Sequence, residues 1–375
     1  MFTGGHMTPA IAVLQELTTI GGYDFVWVGQ KYNQVGATDT SPEHKTVTKL
    51  GVKFIDLRSG KLVRSWNRSV NDFILALQNL ARIPWGFAKA LFIILRERPQ
   101  IVATFGGYIA VPIAFWARIL GIKVLLHEQT VVTGVSNKYL GKLAHTICIS
   151  WESSASYYPL QKTVFTGNPI RLEIFETAPK IKFNNDLPVI YVTGGNQGSF
   201  IVNKAVIYGL SSLLDFTNVI HQTGEVVDTI ELLKTIPSFA AKKGEYRHQS
   251  FFYGNHMGAA MNQADLIISR SGANTVTELL ALGKMSILIP IPWVTHNEQF
   301  LNAKVLADIG LGQIINQKEL TTEGLVNLIK IGLAQVYTKL DWQNKALSQT
   351  QVSAKATIRL DAATLIGREI AKLLA

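Results

Sequence analysis

Residues 265–292 read DLIISRSGANTVTELLALGKMSILIPIP, and this stretch constrains the fold more than any other. An apolar run, Leu266 to Ile268, stops at Ser269-Arg270-Ser271-Gly272. A helical pattern begins at Ala273, and a second apolar run, Ser286 to Ile289, follows Gly283. Strand, tight glycine loop, helix and strand make a βαβ unit with the loop at the first strand's carboxyl end. Anionic ligands bind at that end, because the helix's opening N–H groups and its positive dipole end point there. Glu278 falls about one and a half turns into the helix. In that place it either complements the helix dipole or accepts hydrogen bonds from the vicinal hydroxyls of a ribose.

The residues around Glu278 favour the second role. Ser269-Arg270-Ser271-Gly272-Ala273, Thr275-Val276 and Glu278, followed by Gln299 and Asn302-Ala303, resemble the donor-nucleotide signature of the MurG family. Those are the UDP-N-acetylglucosamine transferases that complete the lipid-linked precursor of bacterial peptidoglycan. The resemblance extends over most of the chain.

At 375 residues, two domains are expected. The net charge of +10 favours anionic partners such as a nucleotide, a diphosphate lipid or a membrane surface. Nucleic acid would also suit the charge, but no recognition motif supports it. Cys148 is the only cysteine, so an internal disulfide is impossible and a reducing cytoplasm is expected. No secretory signal precedes Gly4-Gly5-His6. The long uncharged run from Pro99 to Ala117 is broken by Gly106-Gly107 and reads as a buried strand, Ile101 to Phe105, then a buried helix.

The chain opens on Thr3-Gly4-Gly5-His6 and a helix with Ile11, Leu14 and Leu17 at helical spacing. A glycine loop of this kind normally follows a full strand. With only Met1 and Phe2 before it, the first strand is expected to be missing. Gly106-Gly107-Tyr108 follows the strand at Ile101, and the strand Lys123 to Leu126 ends in His127-Glu128-Gln129. The carboxyl ends of these strands form one wall of an expected cleft. Val189 to Thr193 is a strand followed by Gly194-Gly195-Asn196-Gln197-Gly198, so the opening motif recurs in the second half. Residues 172–188 lack any period and read as a linker.

Residues 61–98 carry Lys61, Arg64, Arg68, Arg82, Lys89, Arg96 and Arg98 against Asp72 and Glu97, a local net of +5. Phe73, Ile74, Leu77 and Leu80, then Trp85, Ala88, Leu91, Phe92 and Leu95, recur at helical spacing. The region reads either as two core helices with solvated basic faces or as a basic, aromatic rim resting on anionic lipid.

The resemblance implies an α/β fold of two doubly wound Rossmann-like domains facing across a cleft, the GT-B arrangement. Residues 1–165 would bind the acceptor, with a helix at 358–375 packing back on them, and 166–357 would bind the UDP-sugar. The implied enzyme is an inverting hexosyltransferase that moves N-acetylglucosamine from UDP to the 4-hydroxyl of a muramoyl sugar on a polyprenyl diphosphate, without metal or cofactor. It would work as a peripheral protein on the anionic cytoplasmic face of the membrane. The catalytic base falls to His6, with Glu128 second; His6 serves equally as a hydrogen-bond donor to a phosphate or sugar oxygen. Donor binding falls to Thr3, Gly4, Gly5, Thr130, Arg171, Asn196, Gln197, Gly254, Arg270, Ala273, Asn274, Thr275, Val276, Thr277, Glu278 and Gln299. Of these, Arg171, Asn196, Gln197 and the N–H groups of Ala273 to Thr275 suit the departing diphosphate. Acceptor binding falls to Gly106, Gly107, Tyr108, His127 and Asn137. Thr130 stands where the family has asparagine, and Asn196 where it usually has serine. A transferase with a diacylglycerol acceptor, a UDP-sugar 2-epimerase and a non-catalytic nucleotide binder are the competing readings.

Overall fold

The computed structural model describes all residues except 33–39, 61–69, 177–178, 196–197, 238, 240, 253–254 and 343–356. Two compact units emerge: Met1–Pro169 with Asp361–Ala375, and Ile170–Leu360.

The first unit runs β1 (Phe2–Thr3), α1 (Met7–Ile20), β2 (Val26–Gly29), α2 (Pro42–Lys49), β3 (Lys53–Asp56) and α3 (Val70–Glu97). It continues β4 (Ile101–Thr104), α4 (Ala110–Ile119), β5 (Lys123–Glu128), α5 (Val135–Leu143), β6 (Thr146–Ile149) and β7 (Thr163–Phe165). All seven strands are parallel, in the order β3-β2-β1-β4-β5-β6-β7. The strand expected to be missing is present as two residues. Phe2 pairs with Trp27 on one side and Ala103 on the other, so a stub holds the central position. Phe2 stacks between Trp27 (6.1 Å) and Phe105 (5.7 Å), and that apolar burial secures so short a strand.

The second unit runs β8 (Val189–Thr193), α6 (Phe200–Leu213), β9 (Asn218–Gln222), α7 (Val227–Lys234), β10 (Tyr246–Gln249) and α8 (Asn255–Gln263). It continues β11 (Leu266–Ser269), α9 (Ala273–Leu282), β12 (Ser286–Leu288), α10 (Glu298–Asp308), β13 (Gly312–Ile314) and α11 (Thr322–Trp342). Its six parallel strands are ordered β10-β9-β8-β11-β12-β13. The last helix, α12 (Ala362–Leu374), belongs to the first unit. Its Ile366 and Ile370 enter the core containing Leu14 and Leu17 of α1, and Thr364 donates to Glu16 Oε1 at 2.7 Å.

In each unit the strand order reverses once, between β1 and β4 and between β8 and β11. A crevice opens at such a reversal, because the connections leave on opposite faces of the sheet. The glycine loops noted in the sequence sit at these two points.

Residues 70–97 form one helix with Pro84 inside it, in place of the two helices read from the pattern. A proline there leaves the carbonyl four residues earlier without its N–H; Leu80 is 51% exposed, so water can serve it. Of the two readings of this region, the outward aromatic face is the one seen from Leu80 onward. The helix buries Gly86, Ala90, Ile93 and Ile94 and turns Trp85 (67% exposed), Phe92 (61%) and Leu95 (54%) outward. Small residues let α3 approach its neighbours, so burial follows contact distance rather than side-chain size. Phe87 does serve the core, edge-on to Phe115 at 5.3 Å. Lys61, Arg64, Trp66 and Arg68 lie outside the described residues.

Candidate active site

At the first unit's reversal two glycine loops interlock. The N–H of Gly5 donates to the carbonyl of Gly106 at 2.9 Å. Gly4 has φ +147°, and a Cβ on it would lie 2.7 Å from the backbone carbon of Phe105. Gly107, at φ +82°, would set a Cβ 2.8 Å from the nitrogen of Gly5. Both positions therefore require glycine on conformation and space together. The interlock places His6, at the N-terminus of α1, on the same crevice as Tyr108. The Tyr108 hydroxyl accepts from Gln30 Nε2 at 2.6 Å.

Glu128 ends β5 and is 1% exposed. Its Oε1 accepts from the backbone N–H (3.1 Å) and lies 2.9 Å from the hydroxyl of Thr130. Its Oε2 accepts from Asn137 Nδ2 (2.9 Å) and the Tyr158 hydroxyl (2.7 Å). Glu128, the second choice for the base, is thus held in place by donors on both of its oxygens. Thr130, assigned to the donor, instead clasps Glu128. Tyr158 had no motif to mark it, and burial raises its pKa above the ordinary phenol value. Burial lowers the pKa of His6 from 6.5 while the charge of Glu128 opposes that shift, so His6 is the neutral, half-buried imidazole of the crevice.

His127 is buried, with Nε2 at 3.2 Å from the carbonyl of Gly167 and 3.1 Å from Ser150 Oγ. Burial depresses its pKa to about 3, against the pull of the Gly167 carbonyl. It is thus a neutral donor at Nε2 and a bare acceptor at Nδ1. That Nδ1, Thr3 Oγ1, Gln129 Oε1 and Asn137 Oδ1 are all buried without a hydrogen-bond partner among the described residues. Each such atom costs about 1–3 kcal/mol unless something polar meets it, so these four are candidates for contact with a polar ligand. Gln129 is an addition to the sequence assignments; Thr3, read as a donor residue, belongs to this group in the first unit.

At the second unit's reversal, α9 starts at Ala273 after Gly272, which offers no side-chain cap. Asn274, Thr275 and Glu278 share one face of α9. Val276 and Thr277 point to the core, and the Thr277 hydroxyl donates to the Ala273 carbonyl at 2.9 Å; side-chain roles for these two are thereby excluded by helical periodicity. Glu278 is 3% exposed. Its Oε1 accepts from Nε (2.8 Å) and Nη2 (2.5 Å) of Arg171, while Oε2 has no partner among the described residues. Arg171 was assigned to the diphosphate; in the structure it orients Glu278, an ion pair being the cheapest way to bury that carboxylate.

Arg270, assigned to the donor, is turned inward and 7% exposed. Nη1 donates to the carbonyl of Ile289 (2.9 Å), and Nη2 to Ser199 Oγ and Gln317 Oε1 (both 2.7 Å). The residue ties the loops after β8, β11 and β12 together. Arg270→Met is expected to destabilise the protein by about 1–3 kcal/mol, leaving two buried acceptors, Ile289 O and Ser199 Oγ, and the half-buried Gln317 without this partner. Urea denaturation checks this, and an unchanged midpoint would mean the loops hold without it. Gln299 Oε1 accepts from the N–H of Ile291 (3.0 Å), fixing its amide at the start of α10. Just before it, His296 and Asn297 both adopt left-handed backbone angles, a strained turn with no sequence signal. Asn196, Gln197 and Gly254 lie outside the described residues. Among the described residues no group of three or more metal-binding side chains assembles.

Two family models divide the chain: the glycosyltransferase family 28 N-terminal domain matches residues 3–149 and the C-terminal domain residues 189–357. The UDP-N-acetylglucosamine–N-acetylmuramyl-(pentapeptide) pyrophosphoryl-undecaprenol N-acetylglucosamine transferase of Desulfotalea psychrophila is 31% identical, over 94% of this chain and 92% of that protein. The chain belongs to the MurG family of glycosyltransferases. The Geotalea uraniireducens transferase of the same name is 30% identical over 99% of this chain and 96% of its own length. Acinetobacter baumannii MurG, a crystal structure, aligns with a TM-score of 0.65 at 26% identity, covering 99% of both chains. These likenesses agree with two parallel-sheet α/β domains of the GT-B type.

Proposed function

We propose that this chain moves N-acetylglucosamine from UDP-N-acetylglucosamine to the 4-hydroxyl of a muramoyl sugar carried on undecaprenyl diphosphate, with inversion at the anomeric carbon. The observation that carries the reading is Glu278, a buried carboxylate with one oxygen anchored by Arg171 and the other without a partner among the described residues, on a helix whose N-terminus has no side-chain cap. Oε2 accepts from a ribose hydroxyl, and the start of α9 faces the diphosphate, whose charge grows as the sugar leaves. In the first unit His6 takes the proton of the attacking hydroxyl, and Glu128 stabilises the imidazolium that results. Thr3, His127, Gln129 and Asn137 supply polar contacts to the acceptor. The assay that tests this combines UDP-N-acetylglucosamine with a synthetic lipid-linked muramoyl acceptor. Transfer to a diacylglycerol and not to this acceptor would overturn it in favour of the related transferase.

The acceptor's lipid places the enzyme on the cytoplasmic leaflet as a peripheral protein. Among the described residues no helix is long and apolar enough to cross a membrane. The outward face of α3, with Trp85, Phe92 and Leu95 among Arg82, Lys89 and Arg96, supports contact with an anionic surface. Each base contributes about 1 kcal/mol there, giving reversible attachment. Sedimentation with anionic liposomes is expected, weakened by high salt and by Arg82→Gln with Lys89→Gln, and weakened further by Trp85→Ser. UDP affinity should stay unchanged. Should the triple variant sediment like the parent, the lipid contact lies on another face.

A further inference from the structure

A second basic cluster lies where the end of α4, the start of β5, the α5–β6 turn and the residues before β7 converge. His145 stands at its centre. The N–H of Val124 donates to His145 Nδ1 at 3.0 Å, and Arg118 Nη1 lies 2.6 Å from His145 Nε2. Lys162 reaches the carbonyl of Ala144, the residue before His145, at 3.0 Å, and Lys123 adjoins Val124 in the chain. None of Arg118, Lys123 or Lys162 is in an ion pair with a described residue.

The hydrogen-bond count around the ring is incomplete. With Nδ1 accepting from Val124, a neutral imidazole carries its proton on Nε2. That N–H then faces the guanidinium, donor against donor. Burial, followed by the charges of Arg118, Lys123 and Lys162, holds the His145 pKa below its ordinary value and keeps the ring neutral. An acceptor with several lone pairs and negative charge would meet the Nε2–H and the Arg118 guanidinium together, in the positive field that Lys123 and Lys162 exert at the ring.

We infer that Arg118, Lys123, His145 and Lys162 form a binding site for a phosphate oxyanion. Ile119 and Leu120, which follow Arg118, are 57% and 44% exposed, and Leu160, two residues before Lys162, is 75% exposed. Apolar side chains at the rim of a phosphate site favour a lipid-borne phosphate over a free one. The choice of lipid rests on the membrane reading above; the oxyanion site itself does not.

The test uses the full chain, titrated calorimetrically with inorganic phosphate and sedimented with phosphatidylcholine vesicles containing phosphatidic acid. The variants are Arg118→Gln/Lys162→Gln and, as a control of equal charge on exposed α2, Lys45→Gln/Lys49→Gln. The first pair is expected to lower binding by about thirtyfold, two bases' worth, and the control far less. Loss of phosphate binding with unchanged sedimentation assigns the site to free phosphate. Loss of sedimentation alone assigns it to the lipid headgroup. Equal losses in both variants, or none in either, overturn the site. UDP affinity, measured alongside, reports separately on the donor reading.

Discussion

His6→Ala is expected to lower kcat by about 10²–10⁴-fold, the range of a positioned general base, while leaving UDP affinity nearly unchanged. The pH profile carries the sharper part of the test. A base works in its neutral form, and burial sets the His6 pKa below 6.5. The rate should therefore be flat above that pH and fall only as the solution is acidified through the lowered pKa. Glu128 opposes the burial effect, so Glu128→Gln should move the acid limb to still lower pH. It should also slow the reaction, since the imidazolium loses its counter-charge. A His6→Ala enzyme within about tenfold of the parent would reduce His6 to a hydrogen-bond donor toward the substrate.

The second large effect is expected at Glu278. Glu278→Ala should weaken UDP binding by about 2–4 kcal/mol, the scale of losing charge-assisted hydrogen bonds. Glu278→Gln keeps the shape and should fall between the two. Arg171→Ala should also weaken UDP, through a different cause: the buried Glu278 loses the group that aims it. Calorimetry with UDP, with circular dichroism to confirm folding, measures all three. Unchanged affinity in a folded Glu278→Ala protein would leave the residue as a structural partner of Arg171 and nothing more.

Much of the architecture was legible in the chain. The βαβ unit at 265–292 could be read because both strands are buried on two faces, which forces continuous apolar runs, and because Gly272 and Gly283 mark the helix ends. The paired Gly-Gly loops were legible because only glycine fits where Gly4 meets Phe105 and Gly194 meets Ser199. Glu278 drew notice because the residues around it resemble the MurG donor signature; its pairing with Arg171 was not legible.

What the chain could not disclose was direction and partnership. Arg270 and Arg171 look alike as bases beside a loop. Only the assembled sheet turns one inward onto Ser199, Ile289 and Gln317 and sets the other against Glu278. Nothing in the chain marked Tyr158, thirty residues on from Glu128, as the donor to one of its oxygens. The apolar spacing in α3 allowed either a core face or an outward rim, and the fold turns it outward, because Gly86 and Ala90 allow closer packing than Trp85 and Phe92. Local periodicity and glycine placement are properties of neighbours in the chain, so the sequence determined the elements and their loops. Which polar atoms are occupied depends on pairs far apart in sequence, and only the tertiary structure decided that.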